Sequence, residues 1–444
     1  MKYKKIVCLM APLVMLGLLM TGCKNVVTVT SIQKTASYAT EDTYTVYYSD
    51  GSTSSFTVKN GKDVTVEELY EKYKEIYGDE LSYREFLEKY LTVADTSSYV
   101  VGEALGASFT VTASKSVIVQ SGSAVLYATN EATNSAYIVT NYHVAYVASN
   151  YVLEGTTGGI ATKISCTLYG SSSPVSCTYV GGSASTDIAV LRTNLSALKE
   201  QNENIKPVKI AAGYSVGETV YAVGNTHGQG ISATKGIISV DSEEITLSVD
   251  GKNRTHRTMR IDAAIYHGNS GGGLFNANCE LVGITNGGDE DAQNVNYAVP
   301  LSIVTGVADN IIHRYEAEQP TNEYLAAYKP LLGVTVTTSG SKYVYDERTG
   351  KGRIEENVVV SAISAISSSS TSNIAYTMGV RVSDVIKAIV IDGTEYPVYR
   401  SFEIGDYLYK AHTGSTLKIV CERSGSTWTS NEYTLKDSDM WEVE

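Results

Sequence analysis

The sequence predicts a mainly β protein of several domains, and three observations carry that prediction. Across residues 102–312, short alternating segments such as 123–127 and 216–223 follow one another between Gly, Ser and Asn punctuation. Strand after strand with turn signals between them reads as antiparallel barrels or a sandwich. Ahead of this region, a hairpin signal and two helix-start boxes describe a small α+β module. Behind it, after a helical stretch and a linker, short strands return over residues 330–444. A chain of 444 residues is too long for one ordinary core, and about three domains of ~100–200 residues each is the natural division.

Taken in order, residues 1–22 read as an export signal. Lys2, Lys4 and Lys5 make a basic start, and Ile6 to Met20 is apolar. Fifteen apolar residues fall short of the ~20 a spanning helix needs. Leu19-Met20-Thr21-Gly22-Cys23 resembles a bacterial lipobox, which implies cleavage before Cys23 and lipid on its thiol. Residues 23–100 then form a tether (24–37, rich in Thr, Ser and Val) and the α+β module. Residues 43–48 and 55–59 alternate around the turn signal Ser49-Asp50-Gly51-Ser52. Thr65 and Glu68 fit a capping box before the helical stripe Val66, Leu69, Tyr70, Tyr73, Ile76 and Tyr77; Ser82 and Glu85 repeat it for a shorter helix with Phe86 and Tyr90. Residues 101–318 are the strand-rich domain, closed by a helix over 303–315. Residues 316–329, with Gln319-Pro320-Thr321, read as a linker. Residues 330–444 are the last domain, with one helical piece over 399–410.

Charge and cysteines narrow the function. Loss of Lys2, Lys4 and Lys5 with the signal takes the formal net charge from −13 to −16. An acidic chain without a basic stripe excludes nucleic acid and electrostatic adhesion to anionic membranes as partners. Of the cysteines left after Cys8 and Cys23, none has metal-ligand spacing, so no metal site is expected. Cys166 and Cys177 flank the turn signal Gly170-Ser171-Ser172-Ser173-Pro174 and are expected opposite each other across a hairpin. That geometry permits a disulfide in an oxidising compartment, and two free thiols are an equal alternative.

The chemistry is concentrated at three element boundaries. His143 follows the apolar run Tyr137-Ile138-Val139, Asp187 stands at the mouth of Ile188-Ala189-Val190-Leu191, and Ser270 lies in Gly268-Asn269-Ser270-Gly271-Gly272. A serine hydroxyl is a poor nucleophile until a base takes its proton and a third group orients that base. The chain order His, Asp, Ser is that of chymotrypsin-like proteases, not of α/β-hydrolases or subtilisins. His256, His313 and His412 have no evident partners and are expected in solvent, and His227 is expected in a loop near the cleft.

These segments resemble HtrA/Deg-type serine proteases. The match includes Gly122-Ser123-Ala124-Val125-Leu126, Thr140-Asn141-Tyr142-His143-Val144, Asp187 to Leu191, Ala222-Val223-Gly224-Asn225, Asp262 to Gly272, Leu281-Val282-Gly283-Ile284 and Asn296-Tyr297-Ala298-Val299-Pro300. The resemblance implies two six-stranded chymotrypsin-like β-barrels with the triad between them. His143 would be the general base, Asp187 its orienting partner and Ser270 the nucleophile. Backbone N–H groups of the Gly268, Asn269, Ser270 turn would form the oxyanion hole. Ile265, Tyr297, Ala298 and Val299 would line an apolar S1 pocket suited to small or medium aliphatic residues. No cofactor is implied. Gly273, where the family usually has proline, should loosen the segment after the nucleophile, and His267 stands where proline or a small residue is more usual.

The last domain resembles a PDZ domain of the HtrA kind, through Leu331-Leu332-Gly333-Val334, Val358 to Ser361, Met378 to Ile386, Ile391-Asp392-Gly393-Thr394 and Gly414 to Val420. The resemblance implies that the backbone of Leu332, Gly333 and Val334 cradles the carboxylate of a peptide C-terminus. Ser383 replaces the usual glycine before Asp384, which puts that turn in question. The expected protein is a lipid-anchored extracytoplasmic endopeptidase acting on unfolded exported proteins, with a homotrimer compatible with the family. The alternative is a catalytically silent surface protein that binds peptides through the last domain.

Overall fold

A computed structural model describes residues 29–37, 41–59, 66–77, 86, 97–148, 157–288, 292–320, 324–346, 351–364 and 373–443. Cys23 and the signal lie outside the described residues. The chain divides into two units, 1–94 and 95–444.

The first unit holds an antiparallel sheet, β1 (Val29–Ser37), β2 (Glu41–Tyr48) and β3 (Thr53–Lys59), in that spatial order. The hairpin falls where the alternation and the Asp50-Gly51 turn predict. The expected tether is different: residues 29–37 are a strand, because their Thr/Ser/Val alternation finds the open edge of β2. The helix Val66–Tyr77 coincides with the predicted stripe, Thr65 of the expected capping box lies outside the described residues, and the rings of Tyr70 and Tyr73 pack against Phe86 at 5.5 and 5.2 Å.

The second unit begins with the helix Ser97–Leu105. Its first barrel contains β4 (Ser108–Lys115), β5 (Ile118–Asn130) and β6 (Ser135–Thr140), then the one-turn helix Tyr142–Ala145 and the short pair β7 (Tyr146–Val147) and β8 (Gly159–Ile160). β9 (Lys163–Leu168), β10 (Val175–Ser183) and β11 (Ile188–Asn194) complete it, closed in the order β10-β11-β6-β5-β4-β9. The second contains β12 (Lys209–Ile210), β13 (Thr219–Gly224), β14 (Ser232–Val249), β15 (Lys252–Ile261), β16 (Gly273–Asn276), β17 (Glu280–Gly288) and β18 (Asn296–Pro300). The order β17-β16-β13-β14-β15-β18 closes through a β17–β18 pairing, so both barrels have six strands.

Strand alternation explains the apolar runs. Ala136, Ile138, Ala189 and Leu191 fill the first barrel, while Tyr137, Val139, Ile188 and Val190 face outward into a second core shared with the other barrel. Phe275, Ile284 and Val299 come to that shared core from the second barrel, and Ile303, Val304 and Val307 from the helix Leu301–Glu318. Buried on both faces, such strands read as continuous hydrophobic stretches. Their ends meet at the seam between barrels, where His143, Asp187 and Ser270 lie.

The expected linker is largely ordered. Its first residues extend the helix to Glu318, and Leu325 bonds through its backbone to Val180 and Gly182 of β10. β19 (Ala327–Pro330) leads into the last domain: β20 (Val334–Asp346), β21 (Lys351–Ile363), β22 (Val385–Ile391), β23 (Thr394–Pro397), β24 (Thr416–Arg423), β25 (Ser426–Thr429), β26 (Tyr433–Thr434) and β27 (Met440–Val443). Its main sheet runs β20-β21-β22-β24-β25, and β27 pairs back onto β19. The helices Ile374–Met378 and Glu403–Tyr407 complete it. Ser383 keeps the glycine-like turn by adopting φ +76° itself, so the replacement does not alter the turn's hand.

The paired cysteines are free and buried. β9 and β10 form the predicted hairpin, but the register sets Cys166 opposite Val175 and Cys177 opposite Ile164. The two are therefore diagonal neighbours on one face, which corrects the expected direct opposition, and of the two alternatives left open they are the free thiols.

Candidate active site

Asp187 is fully buried and sits at φ +57°, a left-handed conformation uncommon for any residue with a side chain. That conformation turns its carboxylate back on the one-turn helix that carries His143. Oδ1 accepts the backbone N–H of His143 at 3.0 Å, and the His143 ring Nδ1 lies 3.1 Å from Oδ1 and 2.8 Å from Oδ2. The Asp187 carbonyl accepts Tyr142 N–H at 3.2 Å and Asn141 Nδ2 at 2.9 Å. Three carboxylate contacts and two carbonyl contacts thus fix the histidine's backbone and its ring together. Burial by itself would push the imidazole down, but the Asp187 charge and its hydrogen bond win, so the ring is held above its ordinary value. The His143 side chain is one-third exposed (33%), open to the cleft.

Ser270 reaches the seam from the other barrel. The turn Tyr266-His267-Gly268-Asn269 closes through Asn269 N–H to Tyr266 O at 3.0 Å, with Gly268 at φ +94° in its third position. A positive φ there is what a type II turn requires. A Cβ on Gly268 would also stand 2.1 Å from Asn225 O. The His267 carbonyl accepts His227 N–H at 2.7 Å, which turns the His267–Gly268 peptide so that its N–H faces the opposite side. Among the described residues no backbone acceptor takes the N–H of Gly268 or Ser270. Asn269 is different: its N–H is spent on the turn, which corrects its place in the expected oxyanion set. Ser270 Oγ donates to Asn286 O at 3.1 Å, and Asn286 Nδ2 reaches Asp187 Oδ2 at 3.5 Å. Asn286 therefore touches two of the three expected residues. Sequence reasoning missed it because an asparagine two residues beyond a Val-Gly-Ile strand carries no local signal.

The pocket residues divide. Ile265 and Ala298 share one core of the second barrel with Met259 and Ile261. Val299 points to the opposite face of β18, into the core between the barrels, so it cannot line a pocket with Ala298. Tyr297 pairs with Arg260 and Gly287 and is half-buried. Gly273 opens β16, paired with Val223 on one side and Ile284 on the other, so the segment after the nucleophile is held by a sheet rather than loosened. His227 occupies the 3-10 turn Thr226–Gly228, its ring 5.3 Å from that of Tyr266. Of the three histidines expected in solvent, His313 and His412 are exposed but lie side by side, and His256 is not exposed. His256 is 2% exposed on β15, and the rings of His313 and His412 stand 4.6 Å apart.

A sequence profile of the trypsin-like peptidase domain matches residues 121–284, from within β5 of the first barrel to within β17 of the second, and takes in His143, Asp187 and Ser270. The fold and this match make the chain a trypsin-like serine peptidase, an endopeptidase. It is similar to the serine protease Do-like HtrA of Lactococcus lactis subsp. cremoris (strain MG1363), 27% identical over 337 residues, 72% of each chain. It is also similar to the serine endoprotease DegS of Escherichia coli (strain K12), 26% identical over 302 residues, 66% of this chain and 72% of that one. Within its class the protein is of HtrA type. The HtrA-type protease AlgW, solved with a tripeptide, aligns over 77% of this chain and 98% of its own at 23% identity and a TM-score of 0.46, too loose a likeness to carry weight.

Proposed function

We propose that this HtrA-type protease cleaves unfolded exported proteins through His143, Asp187 and Ser270, is tethered to the outer face of the cell membrane by lipid on Cys23, and is regulated by a C-terminal PDZ domain. The observation that carries the catalytic part is the Asp187 carboxylate on His143 Nδ1 at 2.8 Å. That contact leaves Nε2 unprotonated and free to take the Ser270 proton, then to return it to the leaving amine. The unused N–H groups of Gly268 and Ser270 suit the developing oxyanion. Ile265 and Ala298, which share one face of the second barrel, favour an aliphatic side chain in S1. Supporting the peptide-binding part, β20 pairs with β21 alone among the described strands, leaving an edge for an added strand. The Leu332 and Gly333 carbonyls are held by Ala375 N–H and Ser364 N–H, so the loop before that edge is fixed from behind.

The silent-protein reading has one observation on its side: the Ser270 hydroxyl donates to Asn286 O. Such bonds often tighten onto the base only with substrate bound, so the contact describes a resting site. Fluorophosphonate labelling of the full chain beside Ser270→Ala and His143→Ala, with casein digestion in parallel, tests the choice. Labelling and cleavage by the parent alone are expected. A parent that takes no label, even with C-terminal peptides added, leaves the silent reading.

A further inference from the structure

The base and the nucleophile stand on different barrels, and their separation has to be set by something that touches both turns. The start of β5 does so. The Gln120 side-chain amide Nε2 lies 3.1 Å from His143 O, 2.8 Å from Val144 O and 3.0 Å from Tyr146 O. All three partners are acceptors, so the NH₂ end must face them. These are the closing carbonyls of the one-turn helix that carries His143, whose i→i−4 bond at the cap is Tyr146 N–H to Tyr142 O. Helix ends leave such carbonyls unpaired, and a single turn has almost no ladder of its own. Asp187 holds the front of this turn and Gln120 holds the back.

Three residues on, Ser123 holds the other turn. It is 1% exposed. Its N–H donates to Ser270 O at 2.8 Å, and its Oγ donates to Gly268 O at 2.6 Å while accepting Asn225 N–H at 2.7 Å. Thr140 Oγ1, three residues before His143, donates to Ser123 O at 2.6 Å. Between the two, Gly122 runs so close that a Cβ would meet both Val144 Cγ atoms at 2.7 Å and Ser270 O at 3.0 Å. We propose that the β5 segment 120–123 is the gauge of the active site, with Gln120 and Ser123 as positioning residues that fix the His143 turn and the Gly268–Ser270 turn relative to each other.

This rests on the triad reading above. Gln120→Leu keeps the stem and removes the donor, so the three carbonyls fall to water and the His143 turn shifts. Ser123→Ala leaves Gly268 O and Asn225 N–H buried without their hydroxyl, and the oxyanion turn relaxes. Displacements well under an ångström in reacting groups cost rate before they cost binding, so each variant is expected to lose about ten- to a hundredfold in kcat with KM within about twofold. The losses are expected to be less than multiplicative in the double variant, because either change alone already breaks the register. Ser123→Thr, which keeps the hydroxyl, is expected to recover part of the rate. The experiment is steady-state peptide hydrolysis and fluorophosphonate labelling rate on the full-length parent, the three variants and the double, with the thermal midpoint of each. Loss of kcat in folded protein supports the gauge. A change that appears in KM, or that follows the folded fraction alone, overturns it while the labelled parent keeps the triad reading. A parent without label overturns both.

Discussion

Replacing Asp187 by Asn separates orientation of the base from everything else in the site. The perturbation is local: Asn is isosteric, and among residues with a side chain it best tolerates the φ of +57° found here. Its single oxygen can still accept the His143 backbone N–H now bound at 3.0 Å. The amide NH₂ then occupies the oxygen position 2.8 Å from Nδ1. Two donors cannot share that contact, so Nδ1 becomes the acceptor and the ring proton moves to Nε2. The imidazole then offers Ser270 a hydrogen where it should offer a lone pair. A swap of this kind in a triad of this geometry costs about 10⁴ in kcat. The pH dependence has a defined sign. The folded-state value of His143 is raised by the Asp187 charge and hydrogen bond, so the neutral base appears only as pH climbs past the ordinary imidazole value of ~6.5. Without that charge the acid limb of kcat/KM moves to lower pH. Peptide hydrolysis measured from pH 5 to 9, with circular dichroism to confirm folding, reads both effects. A loss under tenfold, or an acid limb that stays in place, would refute the orienting role of Asp187.

Three further outcomes follow from the same geometry. Gly268→Ala brings a Cβ to 2.1 Å from Asn225 O at a φ of +94°, so about 1–3 kcal/mol of strain and a collapse of kcat with little change in KM are expected from denaturation and kinetics. Arg257 pairs with Asp406 across the junction between the second barrel and the last domain, and Asp406 also accepts Ser302 Oγ at 2.6 Å. Arg257→Met strands a carboxylate that is 5% exposed and should cost about 3 kcal/mol in denaturant unfolding; an effect below ~0.5 kcal/mol would show that water reaches the site. The thiols of Cys166 and Cys177 should ignore Ellman's reagent in the native protein and react on unfolding without reductant. Their mutual hydrogen bond and burial push the Cys166 thiol well up, away from the reactive thiolate.

Much of this protein was legible in its sequence because its information is local. The alternation of β6 and β11, the helical stripe of residues 66–77 and the turn at Asp50-Gly51 each specify an element through neighbours in the chain. The chain order of His143, Asp187 and Ser270 at element boundaries pointed to one chemistry, and the family resemblance implied that they share the cleft between two barrels. Misreadings occurred where the deciding partner was distant. Residues 29–37 became a strand because β2 had an open edge, and His256 was buried by a hairpin fold that no local pattern announces. Val299 went to the core between barrels because alternation on β18 is counted from the sheet, not from the motif. Residue types, boundaries and the identity of the chemistry were therefore determined by the sequence alone. The tertiary structure decided which N–H groups stay free at Gly268 and Ser270, that Asn286 and Ser123 join the site, and that Gln120 closes the histidine turn. Those bonds join residues scores of positions apart, and their energies exist only once the two barrels have met.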